Sequence, residues 1–134
     1  MSFLPFHLAF MSLACLCMMA AVLIARFLKS RVWWMKLHKA LNYAALGSLA
    51  VGLCFAVIMV ESVGETQAGL PHRIMGGVSI LGSLGLVLLG RSIFRQKGRE
   101  AIASRKKTHR WLGRLEALLM PGALLLGLIL IGIL

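Results

Sequence analysis

The sequence predicts an all-α fold, a transmembrane four-helix bundle with both termini on the non-cytoplasmic side. Its 134 residues are 60% hydrophobic with a mean hydropathy of +0.89, which is too apolar for an ordinary soluble domain. Four apolar runs, at about residues 4–25, 40–60, 74–90 and 112–134, each approach the ~20 residues that a bilayer requires. We therefore expect a single domain over residues 1–134, with helices at about 4–27, 35–61, 71–94 and 107–134.

The first apolar run has to be distinguished from a cleaved signal peptide. It lacks the basic start of a signal peptide and is long enough to span a bilayer, so we expect a membrane helix. Pro5 and Pro71 lie at the starts of the first and third runs. Backbone N–H groups there have no hydrogen-bond acceptor within the helix, so the missing N–H of proline does no harm. Pro121 lies inside the fourth run and is expected to bend that helix.

The basic residues predict the orientation. Fourteen of the fifteen Lys and Arg residues lie in or beside the first and third connections, whereas the second connection has only Arg73, with Glu61 and Glu65. The positive-inside rule then places both termini outside the cytoplasm, and we expect a multi-pass protein of the bacterial inner (cytoplasmic) membrane. Three tryptophans lie on the basic side, as in an interfacial aromatic belt: Trp33, Trp34 and Trp111.

The net charge of +11 does not predict nucleic-acid binding, because the cations cluster between apolar runs instead of covering one solvated face. Cys15, Cys17 and Cys54 lie within apolar runs, so no disulfide framework is expected. The chain also lacks the Cys-x-x-Cys-His motif that attaches c-type haem covalently.

Each predicted helix carries one histidine near its N-terminal end. Because successive helices run in opposite directions, His7 is expected to meet His72 at the outer level, and His38 to meet His109 at the inner level. Two ligands per level fit zinc poorly, whereas a porphyrin supplies four nitrogens and leaves two axial positions. The histidines therefore predict two non-covalent haem b groups, with interfacial residues at helix ends as the alternative.

The motif His-Arg-x-x-Gly occurs twice, at residues 72–76 and 109–113. Residues four apart share a helix face, so Gly76 and Gly113 would offer a flat surface beside each histidine. Most residues seven and eighteen positions after each histidine are also small: Ala14, Ala45, Ser79, Ala25, Ala56, Gly90 and Gly127, with Glu116 as the exception. Room for a macrocycle and close helix packing both explain this face.

Several charged residues have two interpretations. Lys39, Arg73 and Arg110 each directly follow a histidine, where they would bind haem propionates or anchor the helix at the interface. Glu116 is a candidate for proton uptake or quinol binding, although we favour its pairing with a nearby arginine. Glu61 and Glu65 would accept a quinol proton or, as we favour, cap a solvated loop.

The remaining candidates have simpler explanations. The basic segment 91–107 would attract an anionic reductant, but the positive-inside rule alone explains it. Four methionines are conceivable axial ligands that we expect to pack in the core instead: Met11, Met18, Met19 and Met120.

With these residues in place, the chain resembles the cytochrome b561 family, especially its four-helix ferric-reductase and DOMON-linked type. The segment Ala-Arg-Phe-Leu-Lys at 25–29, His38 with Asn42, and the two His-Arg-x-x-Gly motifs carry the resemblance. It implies that the two histidine pairs are axial haem ligands and that electrons cross the membrane, with ascorbate, quinol or a redox protein as donor. Leu86 stands where many members have glutamine, so the details of cofactor packing are not implied. The chain has only the four core helices, so the resemblance does not say which of these donors it uses.

We expect an oxidoreductase-type electron-transfer subunit of a larger redox assembly or a homo-oligomer. One alternative is a four-helix transporter, which would need an acidic residue near the middle of its first helix. Residues 8–25 contain none. The other alternative is a non-redox structural membrane subunit.

Overall fold

The computed structural model describes residues 3–63 and 69–133, and this part of the chain forms four helices. They are α1 (Leu4–Phe27), α2 (Trp34–Val63), α3 (Leu70–Arg95) and α4 (Arg99–Leu130). Each is long and apolar enough to cross a bilayer. The all-α prediction with four such helices is thus confirmed, and the architecture is consistent with a multi-pass integral membrane protein. Glu65 and Leu134 lie outside the described residues.

The bounds of the first three helices agree with the prediction to within two residues, but the fourth was predicted too short at its N-terminus and four residues too long at its C-terminus, since α4 ends at Leu130. α4 begins at Arg99, eight residues before the expected start. The segment 99–110 is rich in Ala, Lys and Arg, which favour helix without being apolar, and Glu100 lies in its first turn. Most cations assigned to the third connection therefore lie on helices, and the connection is only residues 96–98.

The prolines lie where the sequence predicted them. Pro5 and Pro71 are in the first turns of α1 and α3, and Pro121 is inside α4. Between α3 and α4 the chain reverses through Gly98, whose φ of 102° and ψ of 128° belong to a region that residues with a Cβ rarely enter.

The helices pack as two hairpins. α1 packs mainly against α2, and α3 against α4; the hairpins then meet where α1 contacts α4 and α2 contacts α3. Over the described residues the backbones of α1 and α3 do not contact each other, nor do those of α2 and α4. These two pairs are therefore the diagonals of the bundle, and side chains that meet across a diagonal meet in its interior.

The bundle has a small buried core and an apolar outer surface. A central cluster joins three helices through Ala14, Cys15, Met18, Ala45, Leu49 and Met120, with Met11 and Met19 packed against it. This confirms the packing role expected of the methionines. Leu81 and Leu118 are 71% and 73% exposed, and similar leucines cover the outside of every helix, as expected for helices that contact lipid.

Candidate functional site

The four histidines meet as two pairs across the diagonals of the bundle. The ring centroids of His7 on α1 and His72 on α3 are 6.5 Å apart, with an angle of 78° between the ring planes. Those of His38 on α2 and His109 on α4 are 6.3 Å apart, at 80°. The two pairs therefore have nearly the same geometry on opposite diagonals, and the structure brings together the same residues that the sequence paired by depth.

Backbone carbonyls orient three of the four imidazole rings. The Nδ1 atoms of His7, His38 and His72 lie 2.8, 2.9 and 2.9 Å from the carbonyl oxygens of Gly52, Ala21 and Ala123. A carbonyl oxygen can only accept, so Nδ1 donates in each case and the neutral ring keeps its lone pair on Nε2. This is the tautomer that a metal ligand requires, with the second-shell hydrogen bond already formed.

The positions of these carbonyls follow one rule. Ala21 is 14 residues after His7, Gly52 is 14 after His38, and Ala123 is 14 after His109. Each helix of a hairpin thus orients the histidine of its antiparallel neighbour. Sequence analysis missed these residues, because a backbone acceptor leaves no side-chain signature; only the constant spacing of 14 would have indicated them.

His109 fits this pattern less closely. Its Nδ1 is buried and has no hydrogen bond of good length and angle in the described part of the chain. The residue 14 positions after His72 is Leu86, whose backbone carbonyl makes a weaker hydrogen-bonding contact with this ring. The inner pair therefore contains one ring with a well-formed hydrogen bond and one ring with a looser contact to its neighbouring helix.

The small residues beside the histidines have two different surroundings. A Cβ on Gly127 would lie 2.9 Å from Cε1 of His72, and one on Gly90 would lie 3.3 Å from Cε1 of His109. These glycines therefore admit an imidazole ring, so close packing fills the space beside them, which was one of the two explanations for their small size. At Gly76 and Gly113 an added Cβ would meet nothing within 4 Å, as a flat open surface beside each ligand requires.

The cationic residues next to the histidines differ in their contacts. Lys39 places its Nζ 3.8 Å from the centroid of the Phe94 ring, a cation–π contact between α2 and α3. Arg110 is exposed and donates from Nε to the carbonyl oxygen of Lys106 at 3.2 Å. Arg73 is exposed. Two of the three thus have guanidinium groups at the surface, within reach of an anionic group beside the bundle.

The residues near His38 also contact each other. Trp34 lies one turn earlier, with its ring centroid 6.2 Å from that of His38. The amide Nδ2 of Asn42 donates to the carbonyl oxygen of His38 at 2.6 Å and lies over the imidazole at 3.4 to 3.5 Å from its two nitrogens. Trp34, which we expected in the interfacial aromatic belt, and Asn42, four residues after His38, therefore both border the His38 ring.

Each histidine pair fits a group that binds two axial ligands. Metal–nitrogen bonds of about 2.0–2.1 Å on either side, plus ~1 Å from each Nε2 to its ring centroid, place the centroids roughly 6 Å apart. The observed 6.5 and 6.3 Å agree with this spacing. No group of three or more His, Cys, Asp or Glu that could hold a metal occurs in residues 3–63 and 69–133, so a metal there would need its other ligands from a cofactor such as haem.

Glu116 is buried in the bundle, 2% exposed, with a partner other than the arginine that we favoured. Its Oε1 accepts a hydrogen bond from Oγ of Ser83 at 3.0 Å. Gly82, next to Ser83, lets the carboxylate approach α3 closely, because a Cβ there would collide with Oε2. The nearby Arg114 is exposed and directed away from the interior. The expected pairing is therefore wrong, and Ser83 is a contact that the sequence did not indicate.

In comparisons with known proteins, no family model, curated protein or solved structure matches the chain. The functional interpretation therefore depends on the geometry of the two histidine pairs.

Proposed function

We propose that the chain carries electrons across a membrane through two bis-histidine b-type haems, held by His7 with His72 and by His38 with His109. The observation that supports this most directly is the repeated pair of imidazoles, 6.5 and 6.3 Å apart, on the two diagonals of the bundle. A haem bound there would supply reversible one-electron chemistry.

The chain's own residues would hold and orient the group. The carbonyls of Gly52, Ala21 and Ala123 keep Nε2 of three histidines free to bind iron, and this second-shell bond raises ligand basicity. Gly76 and Gly113 leave open space on the same faces. Arg73 and Arg110 are the candidates for binding the haem propionates. Lys39 is a third candidate, and its ammonium group lies over the ring of Phe94.

The depth of the two pairs suits transfer between the membrane faces. His7 and Ala21 mark the two levels on α1, and 14 residues correspond to about 21 Å at 1.5 Å per residue. A hydrocarbon core of about 30 Å would contain both levels. The expected donors and acceptors are a redox partner protein, quinol or ascorbate, with the chain as one subunit of a redox assembly or of a homo-oligomer.

The test is the haem content of the purified full chain. We expect reduced-minus-oxidised bands of six-coordinate b haem at about two haems per chain. His7→Ala and His72→Ala should each remove the same one haem, and His38→Ala and His109→Ala the other. Thr108→Ala is the matched control, because this exposed residue precedes His109 and should keep both haems.

Two results would overturn the proposal. One is a folded, helical protein without haem bands after expression with haem supplied. The other is loss of the same haem from His72→Ala and His38→Ala, since these residues lie in different pairs. Circular dichroism and the elution volume in detergent show whether each variant is folded.

A further inference from the structure

A layer of four buried residues lies midway between the two histidine pairs. Each of its members is seven residues after the histidine of its own helix: Ala14, Ala45, Ser79 and Glu116. They are 0%, 0%, 2% and 2% exposed. Glu116 is also seven residues before Ala123, which orients His72, so each pair is about 10 Å away along the helix axis. We call these four residues the middle layer.

The two polar residues of the middle layer, Glu116 and Ser79, have few hydrogen-bond partners. The Glu116 carboxylate accepts one hydrogen bond, from Ser83. The Oγ of Ser79, one turn before Ser83 on the same helix face, is buried with no partner among the described residues. A carboxylate in an apolar interior is costly as an anion and is retained where it has a function.

The groups around Glu116 do not compensate its charge. At this level α1 contributes Ala14 and the buried thiol of Cys15, and α2 contributes Ala45 and Ser48. On α3 the facing groups are the hydroxyls of Ser79 and Ser83, while Arg114 on α4 itself is exposed. Apart from the neutral Cys15 thiol, the ionisable groups that face the interior in residues 3–63 and 69–133 are the two histidine pairs, one on each side. The carboxylate is therefore placed to respond to charge that arrives at either pair.

We propose that Glu116 is a redox-linked proton site serving both histidine pairs, with Ser83 as its hydrogen-bond donor. This inference rests on the proposed function. When one electron from an external reductant of the quinol class enters the bundle, the Glu116 carboxylate takes up one proton from the aqueous phase. The added negative charge is thereby balanced, and the proton is released when the electron leaves.

The experiment is a redox titration of the full haem-loaded chain at several pH values, combined with reduced-minus-oxidised infrared spectra. One proton per electron lowers a midpoint potential by up to about 59 mV for each pH unit, since 59 mV is the tenfold conversion for one electron. We expect such a fall in the unmodified chain and its loss in Glu116→Gln. The infrared spectrum should contain a protonated-carboxyl band that Glu116→Gln lacks.

Two further variants make the test specific. Glu100→Gln is the matched control, because Glu100 is on the same helix but exposed, and this variant should keep both the pH dependence and the band. Ser83→Ala should shift the frequency of the band without abolishing it, because its hydroxyl bonds to Oε1. The band in the unmodified chain keeps the test valid even where Glu116→Gln fails to fold.

The outcomes separate this inference from the proposed function. A chain that binds two haems but has pH-independent potentials and no carboxyl band overturns the proton site and leaves electron transfer standing. The same holds where Glu116→Gln retains the pH dependence and the band. A chain that binds no haem overturns both.

Discussion

At the scale of single residues, one register recurs on all four helices. A histidine is followed 14 positions later by the residue whose carbonyl faces the neighbour's histidine, and 18 positions later by Ala or Gly. The last position is small because the imidazole of the antiparallel neighbour packs against it, as Gly127 and Gly90 show. A larger side chain at this position would displace the ring that it borders.

Gly127→Ala should therefore loosen the outer pair. Its Cβ would lie 2.9 Å from His72, a ring already held by its bond to Ala123. Overpacking destabilises a fold by about 1–3 kcal/mol, whereas the higher helix propensity of Ala stabilises it by about 1 kcal/mol. We therefore expect the free energy of unfolding to fall by about 1 kcal/mol and the outer haem to bind more weakly. Thermal unfolding in detergent and the haem spectrum measure the two effects.

The control for that variant is Gly85→Ala, where the new Cβ meets nothing within 4 Å. This change should keep both haems and stabilise the chain by about 0.5–1 kcal/mol through helix propensity. Equal stability and equal outer haem content in the two variants would contradict the packing role given to Gly127.

At the scale of elements, apolar patterning predicted the four helices but misplaced both ends of the fourth, by eight residues at its start and four at its end. Runs of about 20 apolar residues identify the parts that face lipid, which is why α1, α2 and α3 were located to within two residues. α4 continues for about three turns into basic sequence, where helix propensity decides and hydropathy carries no information. Its start at Arg99 depends on the backbone conformation of the preceding Gly98, and a lone glycine is only a weak signal for such a conformation.

Gly98→Ala should strain the turn between α3 and α4. The observed φ of 102° with ψ of 128° costs a residue with a Cβ about 1–3 kcal/mol. We expect a lower thermal midpoint with unchanged helicity at low temperature, because the helices on either side do not need this residue. Gly77→Ala, inside α3 with nothing within 4 Å of the new Cβ, is the control, and an equal midpoint for both variants would refute the strain.

At the scale of the whole molecule, alternating helix directions predicted which histidines could share a level, but not how they are held. The pairing across diagonals, the carbonyls that accept from Nδ1 and the contact between Glu116 and Ser83 all depend on helix rotation and on the order of helices around the bundle. A single sequence constrains these weakly, since small residues occur on several faces of each helix. The looser contact of the His109 ring with the backbone of Leu86 is likewise visible only once α3 and α4 are packed.

The orientation of the bundle is a prediction from charge, and it can be tested directly. The helix ends around the connection between α2 and α3 carry one basic residue, Arg73 on α3, whereas the other two connections and the helix ends around them carry the remaining fourteen. Lys and Arg are retained in the cytoplasm during insertion, so Ser62 near the end of α2 should face outside and Ser104 on α4 should face the cytoplasm. Both side chains are exposed, so a cysteine at either position is open to reagent.

We therefore expect a membrane-impermeant maleimide on intact bacterial cells to label Ser62→Cys and not Ser104→Cys, in a background where Cys15, Cys17 and Cys54 are replaced by alanine. Permeabilised cells should label both, which controls for accessibility. Labelling of Ser104→Cys alone on intact cells would invert the bundle and place His38 and His109 at the outer face. This single measurement fixes which histidine pair lies at the outer level and which lies at the inner level.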